Sequence, residues 1–328
     1  MNSSQSGLGK TVTLADVIAA RGRITDYIRR TPLLVNEAAG DRAGLPVYLK
    51  LECLQHTGAF KARGAVSKIS TLTADERQAG LICASTGNHG LGVAYAAKRF
   101  GCRCIVVLPE NANPHKTGLL QRLGAEIIVH GRGSDVRQEK VSQLSSAHSY
   151  AQIPPFSDPA VIAGQGTVGL EILEDLSDVS EVYVPIGGGG LVAGIAVAIK
   201  EKSPKTRIFG VEPENSGAMR EAVRHNGPVP LANVETVADG LAATITEELN
   251  YSIVKRYVED LILVSDRGII ESTLFLIENA KVLVEPSGGA SFAGLLANPR
   301  RQGRAVCIVS GGNVTLRQLH DHQRRFQL

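Results

Sequence analysis

From about residue 80 the chain alternates short apolar, largely β-branched runs with longer stretches whose apolar positions recur at helical spacing. LICAS is followed by HGLGVAYAAKRF, CIVVLP by HKTGLLQRLG, and EIIVH by a polar helix from Asp135. After a loop around Pro154 and Pro155 the pattern resumes with VYVPI, LVAGIAVAIK and RIFGV, and it closes on RAVCIVS and a polar C-terminal helix. Such alternation predicts parallel sheets covered by helices, an α/β fold built as two units with a boundary near residues 150 to 155. Ahead of them, Leu14, Val17, Ile18 and Ile24 mark one side of an amphipathic helix that precedes Thr31, Pro32 and the strand VYLKLE.

Composition narrows the function classes. The chain has 328 residues, 43% hydrophobic and 20% charged, which is enough to bury a substantial core. Its 35 basic and 32 acidic side chains are well mixed and leave a net charge of +3, so no basic face points to nucleic acid or an anionic membrane. With 35 glycines and only 4% aromatics, the sequence suits a fold rich in tight strand-to-helix turns, and a small molecule is the expected partner. Five scattered cysteines, Cys53, Cys83, Cys102, Cys104 and Cys307, frame no disulfide scaffold and no metal site, so a reducing cytoplasm is expected. No signal-like N-terminus or membrane-spanning run is read in the chain.

Four loops carry residue types suited to chemistry. In TGAFKARGA, Lys61 opens a helix, where the positive end of the helix dipole lowers an amine's pKa; a solvated surface lysine is the bland alternative. In ASTGNHG, Ser85, Thr86, Asn88 and His89 sit between a strand and a helix, a natural seat for a carboxylate or simply an N-cap. In VPIGGGGLVAG, Gly187, Gly188, Gly189 and Gly190 cost backbone entropy and offer amides that can close around a phosphate. In VSGGN, Ser310 and Asn313 stand at the carboxyl end of a strand, where ligands of open α/β sheets collect, although a plain turn would look the same.

A rival reading uses the third loop alone. Gly188, Gly190 and Ala193 satisfy a GxGxxA dinucleotide fingerprint, and Glu212 after RIFGV falls near the place of a ribose-binding acid. A dinucleotide-dependent oxidoreductase therefore stands beside the other readings, as does a non-catalytic ligand-binding protein. The oxidoreductase reading leaves TGAFK, STGNHG and SGGN unused.

Taken in order, TGAFKARGA, STGNHG, PAVIAGQGT, IGGGG, VEP, ADG, EPSGGA and SGGN resemble the fold type II pyridoxal-phosphate enzymes, in the threonine/serine dehydratase and serine racemase branch. The resemblance implies a two-domain, tryptophan synthase β-like α/β fold with parallel-rich sheets flanked by helices. It implies a large domain from residues 1–52 and 151–328 with a smaller domain, 53–150, inserted between them. The implied cofactor is pyridoxal 5′-phosphate, covalently held by Lys61, with Phe60 near its ring, Asn88 at the ring oxygen and Ser310 facing the ring nitrogen. Gly187 to Gly190 would hold the phosphate, and Gly240 and Glu285 would border the cofactor. Ser85, Thr86, Asn88 and His89 would receive the substrate carboxylate.

The implied reaction is β-elimination from a small hydroxy amino acid to a 2-oxo acid and ammonia, by a homodimer or higher homo-oligomer. Threonine and serine are the first substrates to consider; 3-hydroxyaspartate, a hydroxyectoine-breakdown intermediate and serine racemisation are the alternatives. Thr86 stands where serine racemases place a far-face acid/base serine, and its extra methyl restricts the rotamer, which disfavours racemisation. Ala218 stands where a second metal carboxylate is expected beside Glu212, so no metal ligands are assigned.

Overall fold

The computed structural model describes residues 11–328, with the exception of 86, 111 and 113 and of the side chains of 114–116 and 134. Among the described residues the strands are β1 (Leu33–Val35), β2 (Val47–Lys50), β3 (Leu81–Ala84), β4 (Cys104–Leu108), β5 (Glu126–Val129), β6 (Ala151–Gln152), β7 (Glu181–Pro185), β8 (Arg207–Pro213), β9 (Asp260–Val264) and β10 (Ala305–Ile308). They form two sheets, a six-stranded one in the order β1-β2-β10-β7-β8-β9 and a four-stranded one in the order β5-β4-β3-β6. Every pairing is parallel except that of β1 with β2. The architecture is thus the α/β, parallel-rich type expected from the sequence. The smaller sheet takes its last strand from just beyond residue 150.

Both faces of the larger sheet are covered, which is why its strands read as unbroken apolar runs. Along β7, Tyr183 points into one core with Phe209, Cys307 and Phe292, whereas Val182 and Val184 point into another with Val192, Ile195 and Ile308. The helix Gly190–Lys200 is buried along nearly its whole length, and it packs against the largely buried helix Pro159–Asp175. Asp158 starts the latter by accepting from the N–H groups of Ala160 and Val161, with Pro159 at the first helical position. A Cβ at Gly164 would lie 2.7 Å from the carbonyl oxygen of Arg63, so only glycine lets the helix Lys61–Ser70 approach this closely. That crossing fixes the helix that begins at Lys61.

The N-terminal helix spans Leu14–Ile24 and starts at a reciprocal cap between Thr13 and Asp16. Its buried stripe is Val17, Ala20 and Ile24. Ile18, expected on that face, is 45% exposed, because one helical step from Val17 rotates it about 100° away from the stripe.

Candidate active site

The carboxyl ends of β2, β3, β7 and β10 lead into the four loops singled out in the sequence. Past β2 the chain doubles back beside the segment after β10. Cys53 N–H donates to Val309 O (3.0 Å), Phe60 N–H to Ser310 O (3.1 Å) and Gly312 N–H to Gly58 O (2.8 Å), and Ala59 bridges Gly311. This ladder holds Lys61 beside Ser310. The helix opens at Lys61, as the sequence suggested, with Phe60 as its cap residue.

A cavity of about 850 Å³ gathers the residues expected at the site. Phe60, Lys61, Ser85, Asn88, His89, Gly187 to Gly190, Gly240, Glu285 and Ser310 all line it, together with Asn313. Thr86 lies outside the described residues.

Lys61 Nζ donates to the carbonyl of Pro155 (2.6 Å) and lies 5.2 Å from the centre of the Phe60 ring. Burial pulls its amine down to about 8, close enough to neutrality for a nucleophile or base. Desolvation, not the helix dipole expected from the sequence, is the cause the structure supplies.

His89 is buried, and its Nε2 lies 2.8 Å from Ile153 O. Burial and then the Lys61 charge push it down to about 3, although the Ile153 carbonyl works in the other direction. A neutral ring whose Nε2–H serves that carbonyl has no second N–H. The donor that His89 offers an anion is therefore its backbone N–H in the first turn of the helix Asn88–Phe100.

Asn88 is held in one orientation. Its Oδ1 accepts from Asn313 Nδ2 (2.7 Å) and its Nδ2 donates to Glu285 Oε1 (2.6 Å), which leaves one N–H for the cavity. Asn313 also donates its backbone N–H to Glu285 Oε2 (3.1 Å) and its Nδ2 to Thr57 O (2.7 Å). Ser310 Oγ donates to Ser287 O (3.2 Å), and Ser287 Oγ accepts from Gly240 N–H (3.0 Å), so Gly240 and Ser310 share one support.

The glycine loop joins β7 to the helix Gly190–Lys200. Gly189 has φ +91°, a conformation that favours glycine, and a Cβ on Gly188 would enter the Phe156 ring at 2.3 Å. Among the described hydrogen bonds, none is donated by the backbone N–H groups of Gly187 to Gly190. Four unengaged donors at a helix N-terminus, in the same cavity as a lysine whose amine burial lowers to about 8, fit a phosphorylated aldehyde.

Glu212 decides against the dinucleotide reading. It is fully buried, does not line the cavity, and accepts from the N–H groups of Met219 (2.8 Å) and Arg220 (2.9 Å) at the start of the helix Ala218–His225. Burial pushes its carboxyl up to about 8 against those two donors. It is a helix cap and cannot reach a ribose in the cavity.

The sequence reading missed Pro155 and Phe156, which face Lys61 and the glycine loop, and Ser287, which supports Ser310. The PPF run before DPAVIAGQGT was a usable signal for the first two; nothing local distinguishes Ser287.

The family model described as "Pyridoxal-phosphate dependent enzyme" matches residues 24–311. L-threonine ammonia-lyase of Thermotoga maritima is 39% identical over 94% of this chain and 77% of its own length. L-threo-3-hydroxyaspartate ammonia-lyase of Saccharomyces cerevisiae is 38% identical over 93% of this chain and 94% of its own. Among solved structures, maize serine racemase superposes with a TM-score of 0.92 at 32% identity, covering 97% of this chain and 98% of that one.

Proposed function

The chain belongs to the family of pyridoxal-phosphate dependent enzymes, and from that premise we propose that it removes the β-hydroxyl of a small hydroxy amino acid, releasing a 2-oxo acid and ammonia. The observation that carries the reading is the convergence of a desolvated amine at Lys61, four free amides at Gly187 to Gly190 and the Ser310 hydroxyl in one cavity. Lys61 would hold the aldehyde of the cofactor, the glycine loop its phosphate, Ser310 its ring nitrogen, and the remaining Asn88 N–H its ring oxygen. When bound, pyridoxal phosphate supplies an electron sink that acidifies the Cα–H of the substrate.

The protein's own groups do the rest. The loop from Ser85 to His89, at a helix N-terminus, orients the substrate through its carboxylate. Lys61, its amine pulled down to about 8 by burial, takes the Cα proton in its unprotonated form once the substrate amine has replaced it. In net terms, the Cα proton and the β-hydroxyl depart together as water, and the enamine left behind becomes an imine and takes up water to give the 2-oxo acid and ammonia. Ser310, a neutral hydroxyl, would not hold the ring nitrogen protonated as a carboxylate would, so that the cofactor would supply a milder electron sink suited to elimination.

The smaller unit, residues 53–150 at its core, closes over the substrate from the side of the Ser85 to His89 loop in this reading. No described helix is long and apolar enough to cross a membrane, and all five cysteines are free. A cytoplasmic homodimer or higher homo-oligomer is the form we propose.

The test combines borohydride reduction, peptide mapping and an assay. The reduced cofactor should be found on Lys61, and oxo acid should form from threonine, serine or 3-hydroxyaspartate. A cofactor on another lysine, or a Lys61→Ala variant that retains oxo-acid release, would overturn the assignment. A correctly placed cofactor with no oxo acid from any of the three would overturn elimination from these substrates and leave serine racemisation, a hydroxyectoine-breakdown substrate or a binding protein.

A further inference from the structure

Beside the glycine loop, and not lining the cavity, lies Asn250, fully buried and the third residue of the helix Glu248–Tyr257. Its Nδ2 donates to Gly188 O (2.9 Å) and to Phe156 O (3.3 Å). Thr246, also fully buried, donates its hydroxyl to the same Gly188 carbonyl (3.2 Å). Both lone pairs of that carbonyl are therefore engaged by side chains that do not line the cavity. Asn250 Oδ1 is itself buried without a hydrogen-bond partner. Leaving an amide oxygen unsatisfied in the interior is costly, so the residue is held in place by what its nitrogen does.

The geometry of the peptide unit converts this contact into a function. Every described peptide bond is trans, so the C=O of Gly188 and the N–H of Gly189 point in opposite directions. Two donors that draw the Gly188 carbonyl toward Asn250 and Thr246 turn the Gly189 N–H the other way, toward the cavity. Glycine at 189, with φ +91°, lets the chain then enter the helix. Without the two donors the flexible tetraglycine run has no reason to keep this peptide in one orientation. By donating to Phe156 O as well, Asn250 ties the loop to the segment whose neighbour, Pro155, faces Lys61.

We propose that Asn250, seconded by Thr246, is a positioning residue for the phosphate of the cofactor: it touches neither cofactor nor substrate and acts through the Gly188–Gly189 peptide. The inference rests on the reading that Gly187 to Gly190 receive the phosphate.

The experiment compares two aldehydes that differ only in the phosphate. The apoprotein of the wild type, of Asn250→Ala and of Thr246→Val is titrated with pyridoxal phosphate and with pyridoxal, and inorganic phosphate is used as a competitor. Asn250→Ala should weaken pyridoxal phosphate by about 10- to 100-fold and Thr246→Val by roughly 3- to 10-fold, as expected for lost buried hydrogen bonds. Pyridoxal affinity should stay within about twofold for both. Equal weakening of the two aldehydes would mean a merely structural role, and unchanged affinities would mean none; either overturns the proposal. Thr246→Val, nearly isosteric, decides alone if Asn250→Ala does not fold. If the wild type itself binds pyridoxal as tightly as pyridoxal phosphate and inorganic phosphate does not compete, the phosphate assignment of the loop fails first and this proposal falls with it.

Discussion

Arg63, two residues past Lys61 on the same helix, closes on Glu171 with Nη1 2.6 Å from Oε1 and Nη2 2.9 Å from Oε2. The same guanidinium grips Glu52 through Nε (2.8 Å) and Nη2 (2.7 Å), and Lys50 Nζ reaches Glu171 Oε2 at 2.6 Å. Two cations and two carboxylates thus sit in the interior with no net charge among them, joining β2 and the helices Lys61–Ser70 and Pro159–Asp175. Burial works against the Glu171 anion, yet Arg63 and Lys50 hold its carboxyl below the usual range.

Removing one member strands the others. Arg63→Ala should lower the unfolding free energy by about 3–5 kcal/mol, the cost of leaving buried charges uncompensated. Arg63→Lys should recover only part of it, since an ammonium cannot make the paired contacts with both carboxylates. Urea denaturation of the three proteins measures this, and a loss below about 1 kcal/mol for Arg63→Ala would show that water reaches the cluster.

Cofactor uptake should follow the protonation of Lys61. Only the unprotonated amine attacks an aldehyde, and burial brings the Lys61 amine to about 8 from its ordinary value of 10.5. The rate of pyridoxal phosphate incorporation into apoprotein should therefore climb with pH and level off just above 8. A rate still rising through pH 10 would show a lysine in water, with the desolvation absent.

His89 predicts the opposite limb. Its folded-state value, about 3, lies below the ordinary 6.5, so the unfolded chain binds the extra proton first. The stability tied to its neutral ring is complete above pH 6.5 and is lost as pH falls from there toward 3. Thermal scans between pH 7 and 4 should show a fall in Tm that is smaller in His89→Asn. Equal falls in both proteins would place the acid sensitivity in other groups.

How much of this was legible in the sequence depends on the range of the interaction. Lys61 at the start of a helix, the glycine run and the strand–helix alternation are local patterns, and they reappear at the expected places. Ile18 shows the limit of a local pattern: its apolarity suggested the buried face, but the stripe that packs is decided by neighbours far along the chain. Arg63 and Glu171, 108 residues apart, meet only because two helices cross at Gly64 and Gly164. Asn250 was invisible for the same reason, since an asparagine in a first helical turn reads as ordinary N-terminal polarity. The cause of the Lys61 shift was likewise a tertiary property, burial, that no spacing encodes.

The last prediction concerns Ser310, which is 3% exposed and whose hydroxyl rests on Ser287 O. If this group faces the ring nitrogen of the cofactor, its two substitutions should differ in kind. Ser310→Ala removes a neutral hydrogen bond and leaves the nitrogen unprotonated, so elimination should fall by roughly tenfold or less with little change in visible absorbance. Ser310→Asp places a carboxylate against the nitrogen and favours its protonated form. That makes the ring a stronger electron sink, lengthens the life of the carbanion and slows departure of the β-hydroxyl, so elimination should fall by about a hundredfold or more with a shifted absorbance band. Steady-state oxo-acid release and the spectrum of each variant test the difference. Equal losses with equal spectra would mean that residue 310 matters only for packing and that another group meets the ring nitrogen.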